Sequence, residues 1–196
     1  MSKYGVKDID KGWGTLIKQV QYLKNHAVDI GVQAGEEAKD GFDMAALAAV
    51  HEFGAYINQR ARTQNVYRKV DKDGNMKKGF VKKSKSNFMT RHQVKAQTIK
   101  IPSRPFMRRT FDTYLKEMND YIQSVVERIY QKKLYAPQAL GLIGQKYERL
   151  VKQKITEGPW KPNAPSTVRK KKSSRPLIDQ GHLRRAIKYV IRRRGK

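Results

Sequence analysis

Apolar residues recur at helical spacing in four stretches of this chain and alternate in three others, and the segments between them are polar. Trp13, Leu16, Ile17, Val20 and Leu23 form one stripe, with Lys11, Lys18 and Lys24 outside it, which predicts an amphipathic helix over residues 10–26. Gly12 and Gly14 weaken its start. Val28, Ile30 and Val32 alternate with Asp29 and Gly31 and predict a strand with one buried face. Ala45, Ala48, Ala49 and Phe53 share a helical face that Leu47 and Val50 widen. Asp43 is placed to cap this helix and Gly54 to end it. The longest periodic run is Met107, Phe111, Tyr114, Leu115, Met118, Ile122, Val125, Val126 and Ile129. It predicts a helix from 105 to about 131, with Ser103 as its cap and Pro105 in the first turn, where a missing N–H costs nothing. A second long helix opens at Ala136-Pro137, runs through Leu140, Ile143, Tyr147, Leu150, Val151 and Ile155, and stops at Gly158-Pro159. Short strands are expected at 97–101, ended by Pro102, and at 186–192. Ser166 opens a basic helical turn, and Asp179 is placed to cap another over 181–185.

Residues 56–98 interrupt this pattern. Lys72-Asp73-Gly74-Asn75 is a hairpin turn signal. Val66, Tyr67 and Val70 precede it, and Met76, Phe80 and Val81 follow, so they are expected to form the flanking strands. Lys82-Lys83-Ser84-Lys85-Ser86-Asn87 reads as loop. A basic β-hairpin arm is therefore expected between the Ala45–Ala55 stretch and Ile99–Asp112, which together would form one split unit. A disordered segment of the same composition is the other reading. The expected fold is α+β, a single domain over 1–196. It has a small, mainly antiparallel sheet from residues near 27–33, 97–101 and 186–192, packed against the two long helices. The 56–98 arm is inserted, and a basic segment over 159–196 ends in a strand.

Charge sharpens the picture. The 196 residues hold 43 Lys+Arg against 17 Asp+Glu, a net charge of +26. Residues 1–50 are nearly balanced, 6 cations against 7 carboxylates, whereas 60–110 hold 16 against 2 and 152–196 hold 15 against 2. An almost neutral base thus carries two cationic segments that attract polyanions. A solvated surface in an assembly crowded with nucleic acid and direct contact with DNA both fit that composition. The absence of cysteine excludes disulfides and thiolate zinc sites. Met1–Asp10 is polar, which argues against a signal peptide, and no apolar run reaches the roughly 20 residues of a membrane span. A soluble, intracellular protein without membrane contact is expected.

Little in the chain points to catalysis. His26, His51, His92 and His182 stand apart, and His51-Glu52 lacks the second histidine of H-E-x-x-H. There is no phosphate-binding glycine loop and no G-x-S-x-G elbow. The basic segments hold too few acids for the metal cluster a nuclease needs. No enzymatic activity and no cofactor are expected. The candidate phosphate contacts are Arg60, Arg62, Arg68, Lys77, Lys78, Lys82 and Lys83 in the arm, with Arg169, Lys170, Lys171 and Lys172 in the tail. Cations interleaved with Tyr67 and Phe80 suit backbone-directed, salt-sensitive binding without sequence preference.

Three motifs remain. Ala48 with His51-Glu52-Phe53-Gly54 is one, and Ile101-Pro102-Ser103-Arg104-Pro105-Phe106-Met107-Arg108 is the second. The third runs from Trp160, Pro162 and Pro165-Ser166-Thr167 through Pro176-Leu177-Ile178-Asp179, Gly181, Leu183-Arg184, Ile187 and Tyr189. In this order they resemble tailed-bacteriophage virion-morphogenesis proteins of the tail-completion and neck class. Those proteins follow A-x-x-H-E-F-G with I-P-x-R-P-F-L/M-R, a long helix, and W-x-P-x-x-P-S-T … P-L-I-D-T-G-x-L-R-x-S-I-x-Y. Gln180 replaces the usual Thr and Ala186 the usual Ser. The 56–98 arm is the main departure, because shorter relatives cross that interval in fewer residues.

The resemblance implies a structural protein of the phage head–tail joint. It would form a closed ring, sixfold by expectation, and cap the tail or connect it to the head. Its neighbours would be the tail tube, a tail terminator or head-connector proteins, with possible non-specific contact with DNA in the channel. It would reside in the virion after assembly in the host cytoplasm. A sequence-independent DNA-binding protein, or a tail assembly factor absent from the finished particle, are the other readings. Within the first two motifs, Arg104 or Arg108 pairing with Glu52 would lock the short helix to the long one. A solvated Glu52 with Arg104 facing solvent fits the sequence equally.

Overall fold

The computed structural model of the chain describes residues 12–33, 35, 41, 43–171 and 173–195. The fold is α+β, with two long helices and three two-stranded antiparallel sheets. The chain divides into two compact units, one comprising Met1–Gly54 with Pro102–Lys196, the other Ala55–Ile101.

The first unit is built on two helices, α3 (Phe106–Tyr130) and α4 (Ala136–Glu157), preceded in the chain by α1 (Trp13–Asn25), β1 (His26–Val32) and α2 (Met44–Phe53). After α4 come α5 (Pro165–Lys171), α6 (His182–Ala186) and β6 (Ile187–Arg193). β1 pairs with β6 antiparallel, from His26↔Arg193 to Val32↔Ile187. Ile30 and Val32 on β1 and Ile187 on β6 face a core with Phe106, Val151, Ile155, Leu177 and Leu183. The core continues along the two long helices through Met118, Tyr147 and Leu150, then through Val125, Ile129 and Ala139, where Leu16 and Leu23 of α1 pack. The periodic residues of α3 and α4 supply the spine, as their spacing predicts, except that Phe111 and Leu115 of the predicted stripe are exposed.

Close approach fixes how β6 lies on α4. Gly144 sits under the Tyr189 ring, and a Cβ there would fall 2.3 Å from Cδ2 and 2.6 Å from Cγ. The Tyr189 backbone N–H donates to Glu148 Oε2 at 3.1 Å, and Glu148 Oε1 pairs with Lys152 at 2.6 Å. At the other end of α4, Gln19 of α1 accepts the Ala136 N–H at 2.7 Å, satisfying one of the donors a helix start leaves open.

The second unit is a ribbon. β2 (Ala55–Gln59) pairs with β5 (Gln97–Ile101) from Ala55↔Ile101 to Gln59↔Gln97. β3 (Arg62–Arg68) pairs with β4 (Phe88–Val94) from Arg62↔Val94 to Arg68↔Phe88. The tip turns at Asp71, whose carboxylate accepts the N–H groups of Asp73 and Asn75, and Gly74 takes φ 83° there. A single bridge, Val70↔Met76, extends the pairing toward the tip, and a short 3-10 turn follows over Lys83–Lys85.

Several expectations are corrected. Residues 97–101 do not join 27–33 and 187–193 in one sheet; they pair with β2 at the base of the arm. A short strand pattern announces a strand but not its partner, and the nearest free partner after Gly54 is β2. The hairpin turn stands where its residues place it, but the returning strand is Phe88–Val94, not Met76–Val81. The helix face of Ala45, Ala48, Ala49 and Phe53 is buried only in part: Ala48 packs on the core, whereas Phe53 is 70% exposed and Met44 carries the burial.

Candidate functional site

The three motifs meet in one corner of the first unit. α2 begins with Asp43, whose side chain accepts the Ala45 N–H at 2.8 Å, and ends at Gly54, where φ 78° and ψ 171° need glycine. This places His51 and Glu52 against the start of α3. The Glu52 carboxylate accepts two backbone bonds there, from Met107 N–H at 2.9 Å to Oε2 and from Arg108 N–H at 3.0 Å to Oε1. An anion on the exposed N–H groups of a helix start is favoured by both hydrogen bonding and the helix dipole. Glu52 is thus the cap of α3, supplied from another helix.

Two expectations fail here. Ser103 does not cap α3: Pro105 is the N-cap residue, without a side-chain bond. No ion pair joins Glu52 to Arg104 or Arg108 among the described residues; Glu52 is spent on backbone donors. Arg108 is exposed. Arg104 is 4% exposed, and its guanidinium reaches the third motif instead. Its Nε donates to the Lys161 carbonyl at 3.0 Å, and its Nη2 donates to the Pro162 carbonyl at 3.3 Å and Asn163 Oδ1 at 3.2 Å. Its backbone N–H donates to the His51 carbonyl at 2.6 Å. Arg104 therefore ties α2 to the segment after α4, and Pro105 presents Phe106, 1% exposed, to the core.

The tail residues complete the corner. Trp160 packs on the core around Phe106, its indole N–H donates to the Ile155 carbonyl at 3.2 Å, and the Arg109 guanidinium lies 5.8 Å from its ring centre. Pro165 opens α5, with Ser166 exposed. Leu177 is buried despite a left-handed backbone (φ 58°), a conformation that a branched residue holds only when its surroundings fix it. Asp179 is exposed and does not cap α6; Gly181 does so without a side-chain bond, at φ 77°. Leu183 is buried, and Arg184 faces solvent.

The electrostatics of the corner follow from burial beside cations. His51 is pushed down to about 4, first by burial and then by Arg104 and Lys171, so its ring is neutral at physiological pH. Its Nδ1 is buried without a hydrogen-bond partner. Burial also lowers Arg104 from its ordinary value. Lys171 is lowered by burial and by Arg104, with Asp179 acting in the opposite sense. Lys171 donates to the Arg175 carbonyl at 3.2 Å, which ties α5 to the segment that follows it.

Of the other phosphate candidates, Arg60, Arg62, Lys77, Lys78, Lys82 and Lys83 are exposed on the arm. Arg68 is half-buried under Phe80, 5.4 Å from its ring centre. Arg169 and Lys170 are exposed on α5, and Lys172 lies outside the described residues. Asn163 and the Lys161 and Pro162 carbonyls are the site groups that sequence reasoning missed. Their signal was the Pro162-Asn163-Ala164-Pro165 run, since an extended proline segment leaves its carbonyls unspent by a helix.

Among the described residues, no group of three His, Asp or Glu side chains is placed to hold a metal ion, and no helix is long and apolar enough to cross a membrane. The corner is built of bonds that join segments distant in the chain. The chain matches no family model, no curated protein and no solved structure.

Proposed function

We propose that this chain is a structural protein of the tailed-bacteriophage head–tail joint, of the tail-completion or neck class, acting by docking and not by catalysis. The observation that carries the reading is the meeting of the three motifs. Residues 51–54, 101–108 and 160–189 lie far apart in the chain, yet Glu52, Arg104 and Phe106 bind them into one corner. Motifs that recur together because they hold one corner together are what a shared fold produces. Exposed apolar side chains support self-association: Trp13, Ile17 and Val20 form a row on α1, Phe111 and Leu115 another on α3, and Phe53 stands at the corner itself. Contacts of this kind between unlike faces close into a ring when the rotation permits, and six copies match a sixfold tail tube. The neighbours in this reading are the tail tube, a tail terminator or the head connector. The protein would reside in the virion after assembly in the host cytoplasm.

Electron microscopy of the purified protein tests the ring, with closed annular particles as the expected outcome. Particles assembled without the protein test the role. Normal heads and normal tails left unjoined are expected, and fully infectious particles would sink the proposal.

A further inference from the structure

The arm differs in chemistry from the rest of the chain. Residues 55–101 hold thirteen Lys or Arg against two carboxylates, Asp71 and Asp73. Asp71 is occupied in its own turn, where it accepts the Asp73 and Asn75 N–H groups. None of the thirteen cations is paired with a carboxylate among the described residues. Seven lysines fall between 69 and 85, at positions 69, 72, 77, 78, 82, 83 and 85, and all seven are exposed. A charge density of this kind repels itself, and only a polyanion relieves it on binding.

We propose that the arm is a docking element for double-stranded nucleic acid, engaging its phosphate backbone without regard to sequence. Three observations select this partner over an acidic protein surface or an unpaired strand. Lysine is depleted at the centres of protein–protein interfaces, where this tip is richest in it. A two-stranded ribbon has the width of a duplex major groove, and β2–β3 with β4–β5 supply up to about 45 Å of it at ~3.3 Å per residue. Of the arm's four aromatic rings, the two most exposed, Tyr56 and Phe80, are already covered by cations, Lys100 and Arg68, each at 5.4 Å, which leaves less ring face for unpaired bases to stack on. The inference does not depend on the ring or on the head–tail joint.

The test is fluorescence anisotropy of the full-length protein with two mixed-sequence duplexes of unrelated composition, over a salt series. One variant carries Lys77→Gln, Lys78→Gln, Lys82→Gln and Lys83→Gln. A control carries Lys116→Gln, Lys133→Gln, Arg193→Gln and Arg194→Gln, all exposed in the first unit. Equal binding of both duplexes is expected. The arm variant should lose about tenfold or more in affinity near 100 mM salt, with the log–log salt slope shallower by about 3 to 4, since each duplex phosphate contact contributes ~0.9. The control should stay within about threefold of the wild type. Circular dichroism and thermal melting confirm that both variants fold, and the exposed positions chosen leave the ribbon pairing intact. Equal losses in the two variants would assign binding to the diffuse field of the whole chain and overturn the proposal. Unchanged DNA affinity with lost self-association in the arm variant would assign the arm to protein contact and overturn it as well. So would a wild type that fails to bind duplex, or that prefers the corresponding single strand.

Discussion

Glu52 shows how much of this corner rests on single side chains. Its two carboxylate oxygens serve two of the N–H groups that the start of α3 leaves open. Glu52→Ala should lower stability by about 1–2 kcal/mol, the usual cost of a lost cap plus its dipole term, and Glu52→Gln should recover part of it through one remaining acceptor oxygen. Thermal melting of the two variants checks the order. Arg104 carries more, because it is buried with its donors committed to two carbonyls and one amide oxygen. A lysine cannot reproduce that planar fork, so Arg104→Lys should cost about 2–4 kcal/mol in urea denaturation. His51 adds a pH dependence whose sign is fixed by its environment. Its folded value of about 4 lies below the ordinary 6.5, so the unfolded chain binds the extra proton first. The contribution is complete above about pH 6.5 and is lost as pH falls through about 4, by roughly 3 kcal/mol in all. Arg104 and Lys171 face the ring, and Asp179 faces Lys171. Carboxylates titrate in the same window, so the measurement is the difference between wild type and His51→Gln: the wild-type curve should fall more steeply between pH 6.5 and 4.

At the scale of elements, the contact between α4 and β6 has little tolerance. Gly144 lies against the base of the Tyr189 ring, which rotation about the side chain cannot move far. Gly144→Ala gains about 1 kcal/mol of helix propensity but forces the ring off its seat, so a net loss of about 1–2 kcal/mol is expected in a thermal melt. Gly144→Ala with Tyr189→Ala should relieve the clash, and a double-mutant cycle reads the coupling. The long helices were legible because a buried stripe repeats at helical spacing over many residues. Asp43 and Gly54 were legible because caps are local. Strand partners were not. Phe88–Val94 is mostly exposed on both faces, so it lacks the alternation that marks a half-buried strand. Residues 97–101 carry alternation, but their pairing with β2 is decided by the ends of the arm. The corner residues were legible as motifs, while their bonds were not. Glu52 and Arg104 each carry a charge that invites a pair, yet each finds neutral backbone groups instead, and burial decides that outcome.

The whole molecule separates into a packed unit and a cationic ribbon whose ends are paired, Ala55 opposite Ile101. Paired ends lie about 5 Å apart across an antiparallel ladder, close enough for a short turn to join them. Replacing 55–101 by a few glycines and serines should leave the melting temperature of the remaining unit within about 3 °C of the full chain, because its core clusters hold no residue of the arm. A collapse of the melt would show that the core depends on the ribbon. The grip of Arg104 on residues 161–163 has a mechanical meaning too. Tension applied to the segment after α4 reaches one guanidinium before it reaches α5. It is shared there among three bonds and handed on, through the His51 carbonyl, to α2. A chain built this way carries a pull across its corner as a tie does, dividing it between the end of α2 and the start of α3, two residues beyond Arg104, so that no single helix takes the whole load.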